Sequence, residues 1–154
     1  MIIQIALLIT LIFYSIVVSQ SFSYIISLRD VHENLDAAGY IITRKLTDKN
    51  FRLKFKWVFY ATLVSNIILC IVSVIDYSPI VLICSLIAWL AFVADTFFML
   101  KGNMPINNLI NTWTTENYPA NWASYRQKWL SAFAKRQVAN ITGFIALLVA
   151  AIFR

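Results

Sequence analysis

The chain alternates between long apolar runs without charge and shorter segments that hold the charged residues. Four runs lack Asp, Glu, Lys and Arg altogether: residues 1–28, 57–75, 77–94 and 137–153. Each run approaches the roughly 20 residues that an α-helix needs to cross about 30 Å of hydrocarbon. The pattern therefore predicts an all-α protein, an integral membrane four-helix bundle that forms a single domain over residues 1–154.

The predicted helix boundaries follow from these runs. The predicted transmembrane helices cover about residues 2–25, 55–75, 79–100 and 137–153. The two long connections, residues 29–54 and 101–136, are expected to hold amphipathic or interfacial helices on the cytoplasmic side. From Asn121, a good N-cap residue, one helix of about 33 residues runs to Phe153, which is longer than the membrane is thick.

The first connection carries apolar residues at helical spacing: Leu28, Val31, Leu35, Ala38 and Ile42. This stripe predicts a helix over residues 28–46, which either starts with a cap at Ser27 and Asp30 or continues the first helix. The second transmembrane helix is then expected to begin near Asn50, after a cap at residues 47–48. In the second connection, four residues fit a short helix at the membrane surface: Ile106, Leu109, Ile110 and Trp113.

Composition and charge narrow the function classes and the orientation. Hydrophobic residues make up 60% of the chain and charged residues only 13%, against about 25% charged in soluble domains. This excludes a soluble enzyme, a disordered tail and a nucleic-acid-binding domain.

Twelve of the 13 Lys and Arg residues lie in residues 29–56 and 101–136. The positive-inside rule then places both connections in the cytoplasm of a bacterial inner membrane, with both termini on the opposite side.

Two smaller groups of residues have a structural and a chemical interpretation. Cys70 and Cys84 would lie at the same depth of an antiparallel hairpin, either as two apolar thiols or as a disulfide pair. His32, Glu33 and Asp36 form a solvated polar helix face or, alternatively, ligands for a divalent metal. We favour the structural interpretation of each group, and we predict no metal and no cofactor.

Asp95 is the most informative single residue, because it lies several positions inside the third predicted transmembrane helix, residues 79–100. A carboxylate at that depth costs several kcal/mol unless it is paired or hydrated, so it should face the bundle interior. Arg136, just before the fourth run, is the expected partner. The pair is either a structural ion pair or a catalytic one.

The fourth helix carries aromatic and basic residues on one face: Trp122, Arg126, Trp129, Phe133, Arg136 and Asn140. Such a face lines either a polar, aromatic cavity mouth or an interfacial belt of Trp and snorkelling Arg. We take the cavity as the working hypothesis. The predicted ligand-binding residues are Asn103, Asn107, Trp113, Trp122, Arg126, Trp129 and Asn140, and the predicted catalytic residues are Asp95 and Arg136.

The segment GNMPIN (Gly102–Asn107) contains an N-x-P-x-N element that precedes a series of further residues: Asn108, Trp113, Trp122, Arg126, Trp129 and Arg136. Over residues 90–153 this arrangement resembles the anthrone-oxygenase-like family of small four-helix membrane proteins. A few fungal members are similar to enzymes that oxidise an anthrone to an anthraquinone with molecular oxygen and no evident metal or flavin. Most bacterial members have no known activity. The resemblance implies a site at Asn103, Asn107, Trp113, Arg126, Trp129 and Arg136.

Three functions fit these observations. The first is an accessory subunit of a larger membrane protein complex. The second is a protein that holds a lipid, a quinone or another hydrophobic small molecule at its cytoplasmic end. The third is an oxygenase or oxidoreductase acting on an anthrone- or quinol-like substrate, with Asp95 as base and Arg126 or Arg136 stabilising an enolate or phenolate.

Overall fold

The protein consists of four long α-helices joined by short connections, with no β-strand. The computed structural model describes residues 1–154. The helices are α1 (Ile2–Asn34), α2 (Ala37–Ile75), α3 (Pro79–Thr112) and α4 (Trp122–Phe153). All four are long and apolar enough to cross a membrane. The prediction of an all-α fold with four long apolar helices is confirmed.

The four helices form a closed ring in which each helix packs against two neighbours. Consecutive helices run antiparallel, because contacts between them join early residues of one to late residues of the next. Thr10 Oγ1, for example, donates to the Ser65 carbonyl oxygen at 3.1 Å, which joins α1 to α2. Gln137 Nε2 donates to the Ser21 carbonyl oxygen at 3.2 Å and closes the ring between α4 and α1.

The centre of the bundle is a packed apolar core that all four helices supply. Its most buried members include Leu7, Tyr14, Leu69, Val81, Ala88, Phe92 and Leu147. Gly143 allows α1 and α4 to approach closely here, since a Cβ at this position would overlap the Tyr14 hydroxyl group. Tyr14 also reaches across the core, where its hydroxyl lies 3.4 Å from the Ala88 carbonyl oxygen.

Three of the helices contain one π-helical turn each: Tyr24–Leu28 in α1, Phe51–Phe55 in α2 and Met99–Asn103 in α3. A π turn inserts one residue into the helical repeat and changes the direction in which the following side chains point. All three turns lie near the same end of the bundle. They allow each helix to continue past the core while presenting new side chains to the interior.

The prediction of one continuous helix over residues 28–46 is wrong. The chain breaks after Asn34, where Leu35 is extended, and the Asp36 carboxylate accepts a hydrogen bond from the Gly39 amide at 2.8 Å. The predicted stripe is not the buried face either, since Val31 and Ile42 are half-exposed. The buried residues of this region are instead His32, Ala37, Tyr40, Ile41, Arg44 and Asp48. The apolar stripe therefore predicts the wrong buried face, because the residues that are buried here are mainly aromatic and polar.

Two further boundaries differ from the predictions. Residues 47–48 do not cap a new helix, because α2 continues unbroken from Ala37 to Ile75. The expected short surface helix is the end of α3, in which Ile110 is buried against the start of α2. The start of α4 at Trp122 agrees with the sequence, although the Asn121 side chain makes no capping hydrogen bond.

Candidate functional site

The residues that carry chemistry gather at one end of the bundle. We call the end formed by residues 29–56 and 101–136 the basic end, because twelve of the 13 Lys and Arg residues belong to it. The opposite end, which carries the connection between α2 and α3, is called the turn end. Hydrogen bonds between residues 44 and 107, and between residues 35 and 126, tie the two long segments of the basic end together.

The helices line a partly open cavity of about 500 Å³ at the basic end. This volume lies within the roughly 300–1,000 Å³ of pockets that hold drug-sized ligands. The three π turns supply much of its lining. Apolar groups form most of the wall, chiefly Phe51, Phe55, Phe59, Met99, Leu100, Met104, Trp129 and Phe133. Polar side chains occupy the rest, including Arg44, Asp48, Arg52, Lys56, Asn103, Asn107 and Arg136.

Asp95 and Arg136 form the ion pair that the sequence predicts. Arg136 Nε lies 2.7 Å from Asp95 Oδ1, and Nη2 lies 3.4 Å from Oδ2. Asn140 Nδ2 donates to Oδ1 at 3.2 Å. Asp95 is only 2% exposed and does not line the cavity, whereas Arg136 does. The carboxylate thus lies behind the guanidinium and holds it at the cavity wall.

Asn107, the second Asn of the N-x-P-x-N element, joins three helices. Its Oδ1 accepts hydrogen bonds from Arg44 Nη2 at 2.9 Å and from Trp129 Nε1 at 2.8 Å. Its Nδ2 donates to Asp48 Oδ1 at 3.0 Å. Asn103, the first Asn of the element, donates to the Trp129 carbonyl oxygen at 2.9 Å. The two amides therefore fix the position of Trp129 in the cavity wall.

Asp48 is the second junction of this network. Beyond Asn107, its carboxylate accepts from Arg52 Nε and from Asn111 Nδ2, each at 2.8 Å. Arg52 Nη2 in turn donates to Asn108 Oδ1 at 2.6 Å. These contacts clamp the first turns of α2 to the last turns of α3 and close one side of the cavity.

Arg44 is a cavity residue that the sequence analysis missed. Its guanidinium carbon lies 3.9 Å from the centre of the Trp129 ring, and its Nη1 lies 3.3 Å from the Tyr24 hydroxyl oxygen. Arg44 does not belong to the predicted apolar stripe, yet it is only 3% exposed. The signal that could have found it is the spacing of four between Tyr40, Arg44 and Asp48, which share one helix face.

The predicted ligand-binding residues divide into two groups. Asn103, Asn107 and Trp129 line the cavity, together with the predicted catalytic residue Arg136. The others lie outside its lining: Trp113, Trp122, Arg126 and Asn140.

Arg126 stabilises the break between α1 and α2 through hydrogen bonds to backbone carbonyl groups. Its Nη1 donates to the carbonyl oxygens of Leu35 at 2.8 Å and His32 at 3.2 Å, and its guanidinium packs against the Trp122 ring at 4.7 Å. The residues outside the cavity lining therefore stabilise the chain segments around the cavity. Trp113 does so as well, because it is buried against the start of α2.

His32 lies in segment 29–54, beyond the apolar runs, and its side chain is buried against aromatic rings. Its Nδ1 donates to the Leu28 carbonyl oxygen at 2.7 Å, and its ring stacks on Tyr24 with centroids 5.3 Å apart. Burial lowers the pKa of His32 below its usual 6.5, and the nearby Arg44 and Arg126 add to this. Burial likewise raises the pKa of Tyr40 to about 12. Both side chains are therefore neutral near pH 7.

The three residues that suggested a metal site do not converge. His32 binds the backbone of its own helix, Glu33 pairs with Arg29 at 3.1 Å, and Asp36 caps α2. No other group of His, Cys, Asp and Glu has the arrangement of a metal site.

The two cysteines are free thiols. Cys70 Sγ lies 3.3 Å from the Ser85 hydroxyl oxygen, which places it beside the neighbour of Cys84 across the hairpin. The two cysteine residues thus lie at the same level of the α2–α3 hairpin, as the hairpin geometry predicts.

Comparison with family models, with curated proteins and with solved structures finds no match to this chain. The resemblance to the anthrone-oxygenase-like proteins therefore stays a prediction that rests on residues 90–153. The function has to be inferred from the cavity and from the charges around it.

Proposed function

We propose that this chain is a multi-pass membrane protein whose basic end faces the cytoplasm of a bacterial inner membrane. Its surface supports this, because large apolar side chains are exposed on the outward faces of all four helices, among them Ile9, Ile12, Ile68, Ile71, Ile83, Leu90, Ile145 and Ile152. Small polar side chains, by contrast, are buried inside, as Thr10, Thr62 and Ser65 are. That distribution suits lipid as the surrounding solvent.

Reporter fusions test this topology. Fusions at Lys49 and Asn117 should report a cytoplasmic position, and a fusion after Arg154 should report the opposite side, because the basic residues lie on one side. An external signal at Lys49 or Asn117 would contradict the proposed orientation.

We further propose that the protein binds a hydrophobic small molecule, of the size of a quinone head group with a short tail, in the cavity at the basic end. The observation that carries this proposal is the cavity itself, whose wall is mainly aromatic and aliphatic but includes fixed polar groups. A largely apolar pocket with a few oriented polar side chains is the usual form of a small-molecule site. The Asp95–Arg136 pair and the Asn107 contacts keep these polar groups in place.

Binding of a short-tailed ubiquinone tests the proposal. The purified protein in phosphatidylcholine nanodiscs should bind it with quenching of tryptophan fluorescence, since Trp129 lines the cavity. Met99→Trp should fill the cavity and weaken binding at least tenfold. Val138→Trp is the matched control, because Val138 is exposed on the outside of α4. Equal loss in both variants, or no binding at all, would contradict the proposal. A stoichiometric protein partner with no ligand would favour the accessory-subunit function.

A cofactor-independent oxygenase is the second candidate. The observation that favours it is the Arg136 guanidinium at the cavity wall, 5.3 Å from the centre of the Phe133 ring and backed by Asp95. A cation beside an aromatic surface suits a planar substrate that develops enolate charge. In the reaction, the anthrone methylene group would lose two hydrogens and gain one oxygen atom, and the second oxygen atom would leave as water. Oxygen consumption with anthrone, lost in Arg136→Gln, tests this candidate.

A further inference from the structure

We infer that the ligand of the cavity carries an anionic oxygen group, a carboxylate, phenolate or enolate, and that Arg44 is its receptor. The inference rests on the proposed ligand-binding function and specifies the chemistry of that ligand. It starts from the charges around the cavity, where one buried cation has no anion beside it.

The other two arginines of the cavity wall are paired. Arg136 lies 2.7 Å from the Asp95 carboxylate, and Arg52 lies 2.8 Å from the Asp48 carboxylate. Arg44 forms no ion pair, and the partners of its two Nη atoms, Tyr24 and Asn107, are neutral. Its Nε has no hydrogen-bond partner at all. Arg44 is also more deeply buried than Arg52.

A buried guanidinium without a counter-charge is energetically costly. Arginine does not lose its proton in proteins, so it cannot escape the cost of burial by becoming neutral. The Trp129 ring offsets part of the cost through its cation–π contact with Arg44, and the two hydrogen bonds offset another part. A carboxylate or phenolate in the cavity would supply the charge that is still missing, in the planar geometry that guanidinium groups favour.

Asp48 is a candidate for an internal counter-ion, since it lies one helical turn from Arg44 and both bond to Asn107, but its carboxylate is already occupied. Asn107 stands between the two residues, since it accepts from Arg44 and donates to Asp48 Oδ1. The other carboxylate oxygen of Asp48 accepts from Arg52 and Asn111. Asp48 therefore neutralises Arg52 and leaves Arg44 as a buried positive charge of the cavity without a counter-ion.

The rest of the cavity fits a ligand of this type. Phe51, Phe55 and Met99 offer apolar contacts for its body, while Lys56 and Arg52 add positive charge to the lining. Such charge raises the local concentration of anions. The expected ligand is therefore a drug-sized amphiphile with one anionic head. Its source is either an aliphatic acid derived from lipid or an aromatic phenolate or acid.

Two acid–ester pairs test the inference, because methylation removes the charge and keeps the apolar body. The probes are dodecanoate with methyl dodecanoate, and 9-anthracenecarboxylate with its methyl ester. Equilibrium binding is measured in phosphatidylcholine nanodiscs and referenced to empty nanodiscs. We expect one acid to bind at least tenfold more tightly than its ester. The acid that binds more tightly identifies the source as aliphatic or aromatic.

Substitution of Arg44 then assigns the preference to this residue. Arg44→Gln should reduce the acid-to-ester ratio to about threefold or less, and Arg44→Lys should retain part of it. Arg29→Gln is the matched control, because Arg29 lies at the same end on the exposed surface and outside the cavity lining, and it should keep the full ratio. Should Arg44→Gln fail to fold, an acid-to-ester ratio in Arg44→Lys below that of the unchanged protein still assigns the preference to this position.

The outcomes separate the inference from the function beneath it. If acid and ester of each pair bind equally well to the unchanged protein, the anionic ligand is refuted while the hydrophobic site stands. If none of the four compounds nor the ubiquinone binds, both the site and the inference are refuted. A strong preference for acid that survives in Arg44→Gln would assign the anion to another residue and overturn the role of Arg44.

Discussion

The basic end and the turn end of the bundle use polar side chains in opposite ways. Towards the turn end, most buried hydroxyl groups bond within their own helix, as Ser73 does to the Leu69 carbonyl oxygen at 2.6 Å, and Thr10 bonds both its own helix and Ser65 of α2. At the basic end, several polar side chains also bond residues that are far apart in the sequence. The Asp48–Asn107 contact spans 59 positions, and the Arg126 contact to Leu35 spans 91.

Hydrogen bonds within one helix and hydrogen bonds between helices stabilise different parts of the molecule. A hydroxyl that returns to its own helix satisfies its polar atom and leaves helix association to apolar packing. A carboxylate or guanidinium that bonds to two or three helices instead fixes their relative positions, and its loss leaves several partners unsatisfied. Substitutions at the basic end should therefore cost more stability than those towards the turn end.

The largest effect is expected at Asp95. Asp95→Asn removes the charge that balances Arg136 in a setting where both side chains are nearly inaccessible. Loss of one member of a buried ion pair costs about 3–5 kcal/mol. We expect the free energy of unfolding, measured by reversible denaturation in mixed micelles, to fall by about this amount.

The double variant Asp95→Asn/Arg136→Gln shows whether the pair is structural. Because the second substitution removes the unpaired guanidinium, the double variant should be no less stable than Asp95→Asn alone. Additive losses would show that the two residues act independently, and a fully stable Asp95→Asn variant would refute a structural pair.

Asp48→Asn should produce the next largest loss. The carboxylate accepts from Arg52, Asn107 and Asn111, and an amide cannot accept from all three donors. We expect a loss of about 2–3 kcal/mol, the range for unsatisfied groups that include a charge. Ser73→Ala, at a buried hydroxyl bonded within its own helix, should cost about 1 kcal/mol or less. Equal losses for Asp48→Asn and Ser73→Ala would abolish the distinction between the two ends.

The same distinction explains what the sequence could predict. The four apolar runs predict the four helices because a membrane-crossing helix is a local property of about 20 residues. The Asp95–Arg136 pair was predictable too, since Asp95 lies several positions inside the third predicted transmembrane helix, Arg136 lies just before the fourth apolar run, and a buried carboxylate needs a partner. In both cases the physical constraint is visible along the chain.

Arg44 and Asp48 were not predictable in this way. Their burial depends on the turn between α1 and α2 and on Asn107, which lies 63 positions from Arg44. An apolar stripe cannot identify the buried residues His32, Tyr40 and Arg44, because the pattern counts apolar side chains along one continuous helix. His32 lies in α1, whereas Tyr40 and Arg44 lie in α2 after the break. The π turn at residues 51–55 adds a second shift, since it changes which residues face the interior.

Gly143→Ala tests the packed core with a smaller expected effect. The new Cβ would overlap the Tyr14 hydroxyl group and lie 3.1 Å from the Ala91 Cβ. Overpacking of this kind costs about 1–2 kcal/mol. Tyr14→Phe removes the hydroxyl oxygen but keeps the ring carbon that lies 2.6 Å from the new Cβ, so the double variant Gly143→Ala/Tyr14→Phe should recover only part of the loss. Unchanged stability of Gly143→Ala, measured by the same denaturation, would show that α1 and α4 are not in close contact.

The smallest effect is a dependence of stability on pH at the basic end, carried by His32. Burial lowers the pKa of His32 in the folded protein below the value of about 6.5 in the unfolded chain. The unfolded state therefore binds more protons between these two pKa values. The stabilisation from neutral His32 is complete above pH 6.5 and is lost as the pH falls towards the folded pKa. One proton limits the slope to about 1.4 kcal/mol per pH unit.

Denaturation at pH 7.5 and pH 5.5 measures this dependence. His32 is the only histidine of the chain, so few other groups change charge in that interval. We expect lower stability at pH 5.5, because a second proton on the ring would place a positive charge near Arg44 and Arg126. His32→Gln should remove the dependence, whatever its own stability at pH 7.5. Equal or higher stability of the unchanged protein at pH 5.5 would mean that the ring is charged or hydrated at the basic end. The aromatic packing around Tyr24 and Trp129 would then no longer explain the burial of His32.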